Sequence, residues 1–435
     1  MSKIKTFDSF FRWSLGAFIA VVAIICFFPA WFTSNFSKYN FTTTGQIGDT
    51  IGGIMGPFVA IAAAGLTFLA FWVQYKANEQ QKEDILDLKT RAEEERLETK
   101  FFEMIRFHRD NVGELSYTFT TKKLEYFKDL VNEQTVVTRK VFRVIYSDFL
   151  EINKELGHFF ENVNEREVYE ESYLNNLNNN ITLQNREIDL LLYAKIDILY
   201  CILYFGLSYE DQKTIKIFFN KRYKENFFES IIQFAALKPK EESKYWRNWS
   251  IFNDMESDSQ MFYFNLLMDS KDNPNCMEIT NNWSDKNWSE FGNIKNSDIY
   301  VKYYGGHQFR LGHYFRHLYQ TVTFIDESEL IEYDQKYSNI KLLRGQLSTY
   351  EQSIIFLNSI SILGRIWEFE NRDNPELALK INEQLITKYN FIKNISNDQI
   401  VDNISVSHFY PLVAYESNFS AEKKKERELM KEQFS

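Results

Sequence analysis

The sequence predicts a mainly α fold with three parts: an N-terminal two-helix transmembrane hairpin, a helical stalk and a helical cytoplasmic domain. The 435 residues include 40 Phe and 25 Tyr but only 16 Gly and 6 Pro, so core-forming residues are abundant and turn-forming residues are scarce. Two uncharged apolar runs occupy the first 75 residues. We therefore predict the hairpin over residues 1–75, the stalk over 76–111 and the cytoplasmic domain over 112–435.

The cysteines indicate a reducing compartment. Cys26, Cys201 and Cys276 are widely separated, form no Cys-x-x-Cys pair and are odd in number. This pattern excludes a disulfide framework and a zinc ribbon.

The hairpin prediction depends on two spans, at about residues 12–33 and 50–73. The first run, WSLGAFIAVVAIICFFPAWF, reaches the roughly 20 apolar residues that cross a bilayer. Trp13 and Trp31 lie about 27 Å apart on a helix and Trp72 closes the second run, as in an aromatic belt. A signal peptide is the alternative, but the cleavage pattern is poor and a second span follows.

Basic residues predict the orientation of this hairpin in the cell membrane. They flank the two spans on their outer sides, at Lys3, Lys5, Arg12, Lys76, Lys82 and Lys89. Only Lys38 lies between the spans. Because cytoplasmic flanks carry the excess of Lys and Arg, we expect both the N- and C-termini in the cytoplasm.

A glycine stripe leads into the second span. Gly48, Gly52 and Gly56 recur every four residues, and small residues at this spacing let helix backbones approach closely. The partner helix is either the first span of the same chain or a second copy in a homo-oligomer, and the pattern does not distinguish these alternatives.

Composition and helical patterns predict the stalk and the cytoplasmic domain. Residues 76–111 lack Pro and Gly and are rich in helix formers, and helical patterns continue over residues 121–235. The apolar run at 190–207 contains Lys195 and Asp197, which favours a buried core helix over a third span. Residues 238–300 are rich in Asn, Ser, Asp and Trp, and we interpret them as an irregular insert.

The segment YYGGHQFRLGHYFRHLYQTVTFID, residues 303–326, holds three of the six histidines: His307, His313 and His317. Gly305 and Gly306 mark a turn, and a helical period starts directly after them. One face is apolar and comprises Leu311, Phe315, Leu318, Val322 and Ile325. Arg310, His313 and His317 form a row beside that face.

Three interpretations compete for this row. Zinc binding by His313 and His317 is disfavoured, because Arg310 and Arg316 oppose a cation and no carboxylate or Cys matches their spacing. We therefore predict no metal and no cofactor. The histidines could instead be hydrogen-bonded structural groups. Alternatively, Arg310 stabilises a phosphate while His317 moves a proton, which would allow metal-independent phosphodiester cleavage.

A second polar stripe predicts supporting residues. Arg344, Glu351 and Asn358 are seven residues apart, so they would align on one helix. Glu351 could orient a histidine and Arg344 could extend a phosphate subsite; an ordinary buried ion pair is the alternative. His108 and Asn111 form a third cluster at i, i+3.

Three strings carry a family resemblance: GHQFRLGHYFRHLYQTV from residue 306, LLRGQLSTYEQSIIFLN at 342–358 and FFEMIRFHRDNV at 101–112. They resemble a family of phage abortive infection proteins related to AbiC. The resemblance implies a bacterial antiphage defence sensor or effector that responds to a phage component as its trigger.

Many abortive infection proteins carry helical ribonuclease domains of the HEPN type, with Arg-x4-6-His on a helix, and Arg310 with His317 is similar to that pattern. This implies an endoribonuclease, with RNA as its substrate. In the alternative hypothesis the protein is not an enzyme, and its transmembrane hairpin disrupts the membrane once the cytoplasmic domain binds the trigger. The first 75 residues carry a net charge of +2 and the rest -12, which disfavours nonspecific nucleic-acid binding. A nuclease would need a local basic cleft, for which Arg310, Arg316 and Arg344 are candidates.

Overall fold

The structure, a computed structural model of the chain, describes most of the sequence. The described ranges are 47–125, 128–183, 188–243, 246–256, 259–262, 264–265, 302–371, 373–374, 377–395, 399–401 and 404–416, with scattered positions between 13 and 27 and between 424 and 432. The chain divides into two compact units, Met1–Glu95 and Arg96–Ser435.

The longest element is helix α1, Ile47–Glu114, which continues from the first unit into the second. Its glycines and Pro57 lie near its N-terminal end, and the helix formers after residue 73 contain no breaker until Gly113. The second predicted span lies within α1. In the described part of the chain, α1 is the one helix that is long enough and apolar enough to cross a membrane. No residue of its apolar window is buried.

Most of the first predicted span lies outside the described residues. Its described positions, between Trp13 and Phe27, are helical. No described atom lies within 4 Å of a Cβ built on Gly52, Gly53 or Gly56, and the side-chain environment of position 48 lies outside the description. The homo-oligomer and the intramolecular packing therefore stay predictions.

A β-hairpin follows α1 where the sequence analysis predicts helix. Strands β1, Ser116–Glu125, and β2, Lys128–Val137, pair antiparallel with Ser116 opposite Val137. The prediction of a helical pattern from residue 121 is wrong here. The segment has frequent Thr and Val together with Tyr117 and Phe119, and such residues suit a pleated, half-buried surface better than a helix.

The remainder of the second unit is mainly helical, which confirms the predicted class. The helices are α2 Lys140–Leu156, α3 Glu165–Val168, α4 Glu171–Leu183, α5 Leu190–Phe205, α6 Tyr209–Phe219, α7 Glu225–Ala236, α8 Trp246–Asn253, α9 Gln308–Asp326, α10 Tyr333–Arg344, α11 Thr349–Ile360, α12 Leu385–Tyr389 and α13 Val406–Phe409. Single 3-10 turns occur at Gly157–Phe160, Arg365–Trp367 and Ile381–Glu383. A short antiparallel pair, β3 Gln399–Val401 and β4 Ile404–Ser405, lies near the C-terminus.

Helix α5 lies at the centre of the core, packed against α2, α6, α9 and α11. The prediction that this run is a core helix is confirmed, because most of its residues are buried. Asp189 caps its N-terminus by accepting from the Leu191 and Leu192 amides. Inside the core, Asp197 Oδ2 accepts hydrogen bonds from Arg365 Nη2 and the Tyr223 hydroxyl, each at 2.6 Å. This buried charge is thus paired, as burial requires.

Described residues of the predicted insert pack against the core. Helix α8 falls inside it, and Trp249, Phe252 and Phe264 are buried core residues. Residues 266–301 lie outside the described residues. The two sides of the insert meet at its base: Tyr303 N–H donates to Lys238 O at 2.9 Å, and Pro239 forms a bridge with Lys302.

Candidate functional site

The three residues of the predicted row line one groove. This groove, of about 640 Å³, lies between the C-terminal end of α1 and helix α9. Arg310, His313 and His317 contribute to its wall, as does Arg316. The other lining residues are Asn111, Glu114, Leu115, Ser116, Phe309, Tyr314 and Gln320. The apolar face predicted for α9 is buried throughout, which presents the polar row to the groove.

The Gly305–Gly306 turn positions the start of α9 against the end of α5. Gly206 and Gly306 both have positive φ, at 84° and 77°, which glycine adopts at little cost. A Cβ on Gly306 would lie 2.2 Å from the Phe205 carbonyl oxygen. The crossing is fastened by two backbone hydrogen bonds, His307 N–H to Tyr204 O at 2.8 Å and Leu207 N–H to Tyr304 O at 2.9 Å.

Beyond this crossing, His307 forms a buried polar cluster at the first turn of α9. Its Nε2 lies 3.1 Å from Asp148 Oδ2 and its Nδ1 lies 3.3 Å from Arg310 Nη1. A guanidinium can only donate, so Nδ1 accepts and Nε2–H donates to the carboxylate. Both ring nitrogens are therefore hydrogen-bonded, and His307 orients Arg310.

Arg310 connects α9 to the β-hairpin. Its Nε donates to Ser116 O at 3.0 Å, and its guanidinium lies 4.3 Å from the Tyr117 ring centroid and 4.1 Å from that of Phe309. Partial burial lowers the pKa of Arg310, and a guanidinium this basic still stays charged. Among the described residues no carboxylate pairs directly with Arg310, so its positive charge is held by neutral acceptors and aromatic rings.

The two histidines further along α9 differ in environment. His313 is exposed to the groove, as is Arg316, whose Nε donates to Gly312 O at 3.1 Å. His317 is half-buried, and its Nδ1 is buried without a hydrogen-bond partner in the part of the chain that the structure describes. Burial lowers the pKa of His317, which favours its neutral form at pH 7.

His108, from α1, lies directly behind His317. The two rings stack with centroids 6.3 Å apart and an interplanar angle of 22°. His108 is only 1% exposed, and neither of its ring nitrogens has a hydrogen-bond partner among the described residues. Burial is the main cause that lowers the pKa of His108 to about 4, with the neighbouring charges of His317 and Arg139 adding to it. Of the third predicted cluster, Asn111 thus lines the groove and His108 lies buried behind the groove residue His317.

The second polar stripe does not lie on one helix. Arg344 is the last residue of α10, whereas Glu351 and Asn358 lie on α11, because Ser348 and Glu351 form a capping box that starts a new helix. Arg344 Nη1 donates to the Tyr389 and Asn390 carbonyls, both at 2.9 Å. The geometric prediction of one aligned row is thus wrong, and Arg344 is engaged away from the groove wall.

Glu351 and Asn358 are also structurally occupied. Glu351 Oε2 accepts from Ser348 N–H at 2.7 Å and from its hydroxyl at 2.6 Å, and Oε1 accepts from the Tyr314 hydroxyl at 3.4 Å. Glu351 thus contacts no histidine and reaches the site only through Tyr314, whose ring lies 5.3 Å from that of His108. Asn358 is buried against Gly364.

The sequence analysis missed the acidic row that faces this segment. Asp148, Glu151 and Glu155 lie on α2 at i, i+3 and i+7, and accept hydrogen bonds from His307, Tyr303 and Tyr304 respectively. The Lys238 ammonium bridges Glu151 and Glu155 at 2.5 and 2.6 Å. The helical spacing of the three carboxylates indicates that they share one face of a helix. It does not identify the segment that packs against that face.

No group of three or more His, Cys, Asp or Glu side chains with metal-binding geometry occurs among the described residues. The groove can offer a ligand two guanidinium groups, two imidazoles and the exposed aromatic ring of Phe309, and one carboxylate, that of Glu114, also lines it. This set suits a phosphate ester that carries an aromatic group.

Comparison with known proteins bears on the segment that carries the groove. A family model described as putative phage abortive infection protein matches residues 306–371. The resemblance predicted from the sequence is thereby confirmed for the stretch from Gly306 to the turn after α11. No curated protein and no solved structure matches the chain.

Proposed function

We propose that this chain is a membrane-anchored phage abortive infection effector whose α9 groove cleaves RNA without a metal ion. One observation carries the proposal: Arg310, His313 and His317, chosen from spacing alone, line a single groove within the segment that matches the abortive infection family. The membrane anchor is supported by the apolar portion of α1.

The proposed chemistry follows from the two imidazoles. Neutral His317 removes the proton of a ribose 2′-hydroxyl, whose oxygen then attacks the adjacent phosphorus. The bond from phosphorus to the 5′-oxygen breaks, and a protonated His313 supplies the proton to that leaving oxygen. The products are a 2′,3′-cyclic phosphate and a 5′-hydroxyl, and no oxidant, reductant or metal is needed.

The guanidinium groups support charge stabilisation at the phosphate. Arg310 is held by Ser116 O and His307 Nδ1, so its position is fixed while its charge is not neutralised by a direct carboxylate partner. Arg316 lines the same groove and bonds only a backbone carbonyl among the described residues. Preorganised donors of this kind stabilise the extra negative charge that develops on the phosphate during attack.

Phe309 favours a nucleic acid over other phosphodiesters. Its side chain is 69% exposed at the groove, although burial of a Phe ring would stabilise the fold. An exposed ring beside a basic groove is a stacking platform for an unpaired base. The negative charge of the rest of the body would limit binding to this local basic surface.

Replacement of His317 by Ala tests the proposal. We expect it to abolish protection against phage and to reduce RNA cleavage by roughly 10²–10⁴-fold, the usual contribution of one acid–base group. His408→Ala is the matched control, because His408 is an exposed histidine outside the groove. In RNA from infected cells, new cleavage ends should appear with the wild type and with the His408→Ala control but not with His317→Ala. EDTA should not suppress the cleavage.

The same infection experiment distinguishes RNA cleavage from the alternative hypothesis, in which the transmembrane segment disrupts the membrane. If wild-type cells lose membrane potential while their RNA stays intact, the transmembrane segment is the effector and the groove binds only the phage trigger. If His317→Ala fails to accumulate or to fold, measured by thermal unfolding of the purified protein, the imidazole is a structural group.

A further inference from the structure

His108 is an unusual core residue. At 1% exposure it has lost contact with solvent, yet neither ring nitrogen forms a hydrogen bond in the part of the chain that the structure describes. Leaving a buried polar atom unpaired costs about 1–3 kcal/mol, whereas an apolar side chain of similar size would cost nothing of this kind. A histidine at this position therefore destabilises the fold and needs another explanation.

The surroundings of His108 point to His317 as the reason. The His317 ring stacks against it at 6.3 Å, and His317 Nδ1 is also buried and unpaired. The other ring against His108 is that of Tyr314, and the other charged group that acts on His108 is Arg139, whose Nε pairs with Glu351 Oε2 at 3.7 Å. The two neighbouring imidazoles thus each present buried nitrogen atoms that form no hydrogen bond in this structure, either with each other or with another described group.

We propose that His108 is a positioning residue: when the two rings close from their present centroid separation of 6.3 Å, it accepts a hydrogen bond from Nδ1–H of His317. This pairing would hold His317 in the tautomer whose Nε2 is unprotonated and faces the groove, where a general base must receive its proton. The inference rests on the proposed ribonuclease function of the same groove. It assigns to α1, outside the segment that matches the family, a direct part in the site.

The low basicity of His108 fits this role. Burial keeps its pKa near 4, so it stays neutral at pH 7 and retains an unprotonated nitrogen as acceptor. A carboxylate in this position would also accept, but it would raise the basicity of His317 through its charge. A neutral acceptor fixes the tautomer without that effect.

Two substitutions separate positioning from packing. His108→Leu keeps an apolar body and removes the acceptor, and His108→Gln retains an acceptor. In full-length protein labelled with ¹⁵N-histidine, the ring nitrogen shifts of His317 report its tautomer directly. We expect Nδ1–H in wild type and in His108→Gln, and a change to Nε2–H in His108→Leu.

Activity and stability complete the test. Cleavage of a single-stranded oligoribonucleotide should fall at least tenfold in His108→Leu and recover in part in His108→Gln, while the thermal midpoint of His108→Leu should not fall. If wild type cleaves no RNA, the proposed function fails, but the tautomer change would still establish the pairing. If the His317 tautomer is the same in wild type and His108→Leu, the inference is overturned whatever the activity.

Discussion

Three histidines within eleven residues show how environment divides the roles of one side-chain type. His307 has both nitrogens satisfied by Asp148 and Arg310, His313 faces the groove, and His317 has one buried unpaired nitrogen. In the proposed mechanism, His307 therefore positions Arg310, and His313 and His317 transfer protons.

Burial of His108 predicts a loss of stability in acid. Its pKa is about 4 in the folded chain, against 6.5 when exposed, so below pH 6.5 the unfolded chain takes up a proton that the folded chain does not. The contribution of His108 to the free energy of unfolding is therefore constant above pH 6.5. It falls as the pH drops toward 4, by about 3 kcal/mol in total.

The measurement is urea unfolding of wild type and His108→Leu at pH 7.5, 5.5 and 4.5. Other titrating groups act on both proteins, so the difference between them isolates His108. We expect the free energy of unfolding of His108→Leu to fall less across this range. Parallel pH profiles would show that His108 titrates normally in the folded chain.

At the scale of elements, the sequence predicts a feature correctly when that feature depends on the spacing of residues along one helix. The period after Gly306 predicts α9, its buried face and the row of Arg310, His313 and His317, because all of these depend on local spacing. The hairpin at residues 116–137 was missed, because a helical pattern was extended through a segment rich in Thr and Val.

Partners that are distant in the chain could not be predicted from spacing. His108 and His317 are more than two hundred residues apart, and Asp148 and His307 are 159 residues apart. The prediction of a stripe at Arg344, Glu351 and Asn358 failed for a local reason: the capping box at Ser348 starts a new helix between its first two members. The sequence thus predicts His108 and His307 as candidate residues, but it does not predict that they lie against His317 and Asp148.

The turn before α9 allows a matched pair of glycine substitutions. Gly306→Ala should destabilise the second unit by more than about 1 kcal/mol, because φ is 77° and the new Cβ would lie 2.2 Å from Phe205 O. Gly305→Ala is the control, since apart from its chain neighbours no atom of the described residues lies within 4 Å of a Cβ there and its φ is not positive. Urea unfolding compares the two, and equal losses would show that the crossing is not rigid.

At the scale of the whole molecule, charge and hydropathy differ between the proposed anchor and the rest of the chain. The first 75 residues carry a net charge of +2 and the rest -12. The apolar window of α1 is not buried, and the acidic remainder holds the groove. The glycine stripe at 48, 52 and 56 lies in the proposed anchor, where it predicts helix association.

The distribution of Lys and Arg predicts the topology of this anchor. A reporter fused after Ser435 should be cytoplasmic, and a reporter inserted near Asn40 should be external. Protease added to intact spheroplasts should spare the C-terminal body and remove the reporter near Asn40. Cleavage of the body from outside would reverse the assignment.

The joint at Lys238 and Tyr303 has a consequence for how this protein can vary. Phe264 on one side and Lys302 on the other are both anchored in the core, so each end of the segment 266–301 is held by its own contacts. For a flexible connection, closure entropy rises by only about 0.6 kcal/mol for each doubling of its length. We therefore expect changes of length between residues 266 and 301 to leave the Gly306 crossing and the position of α9 unchanged.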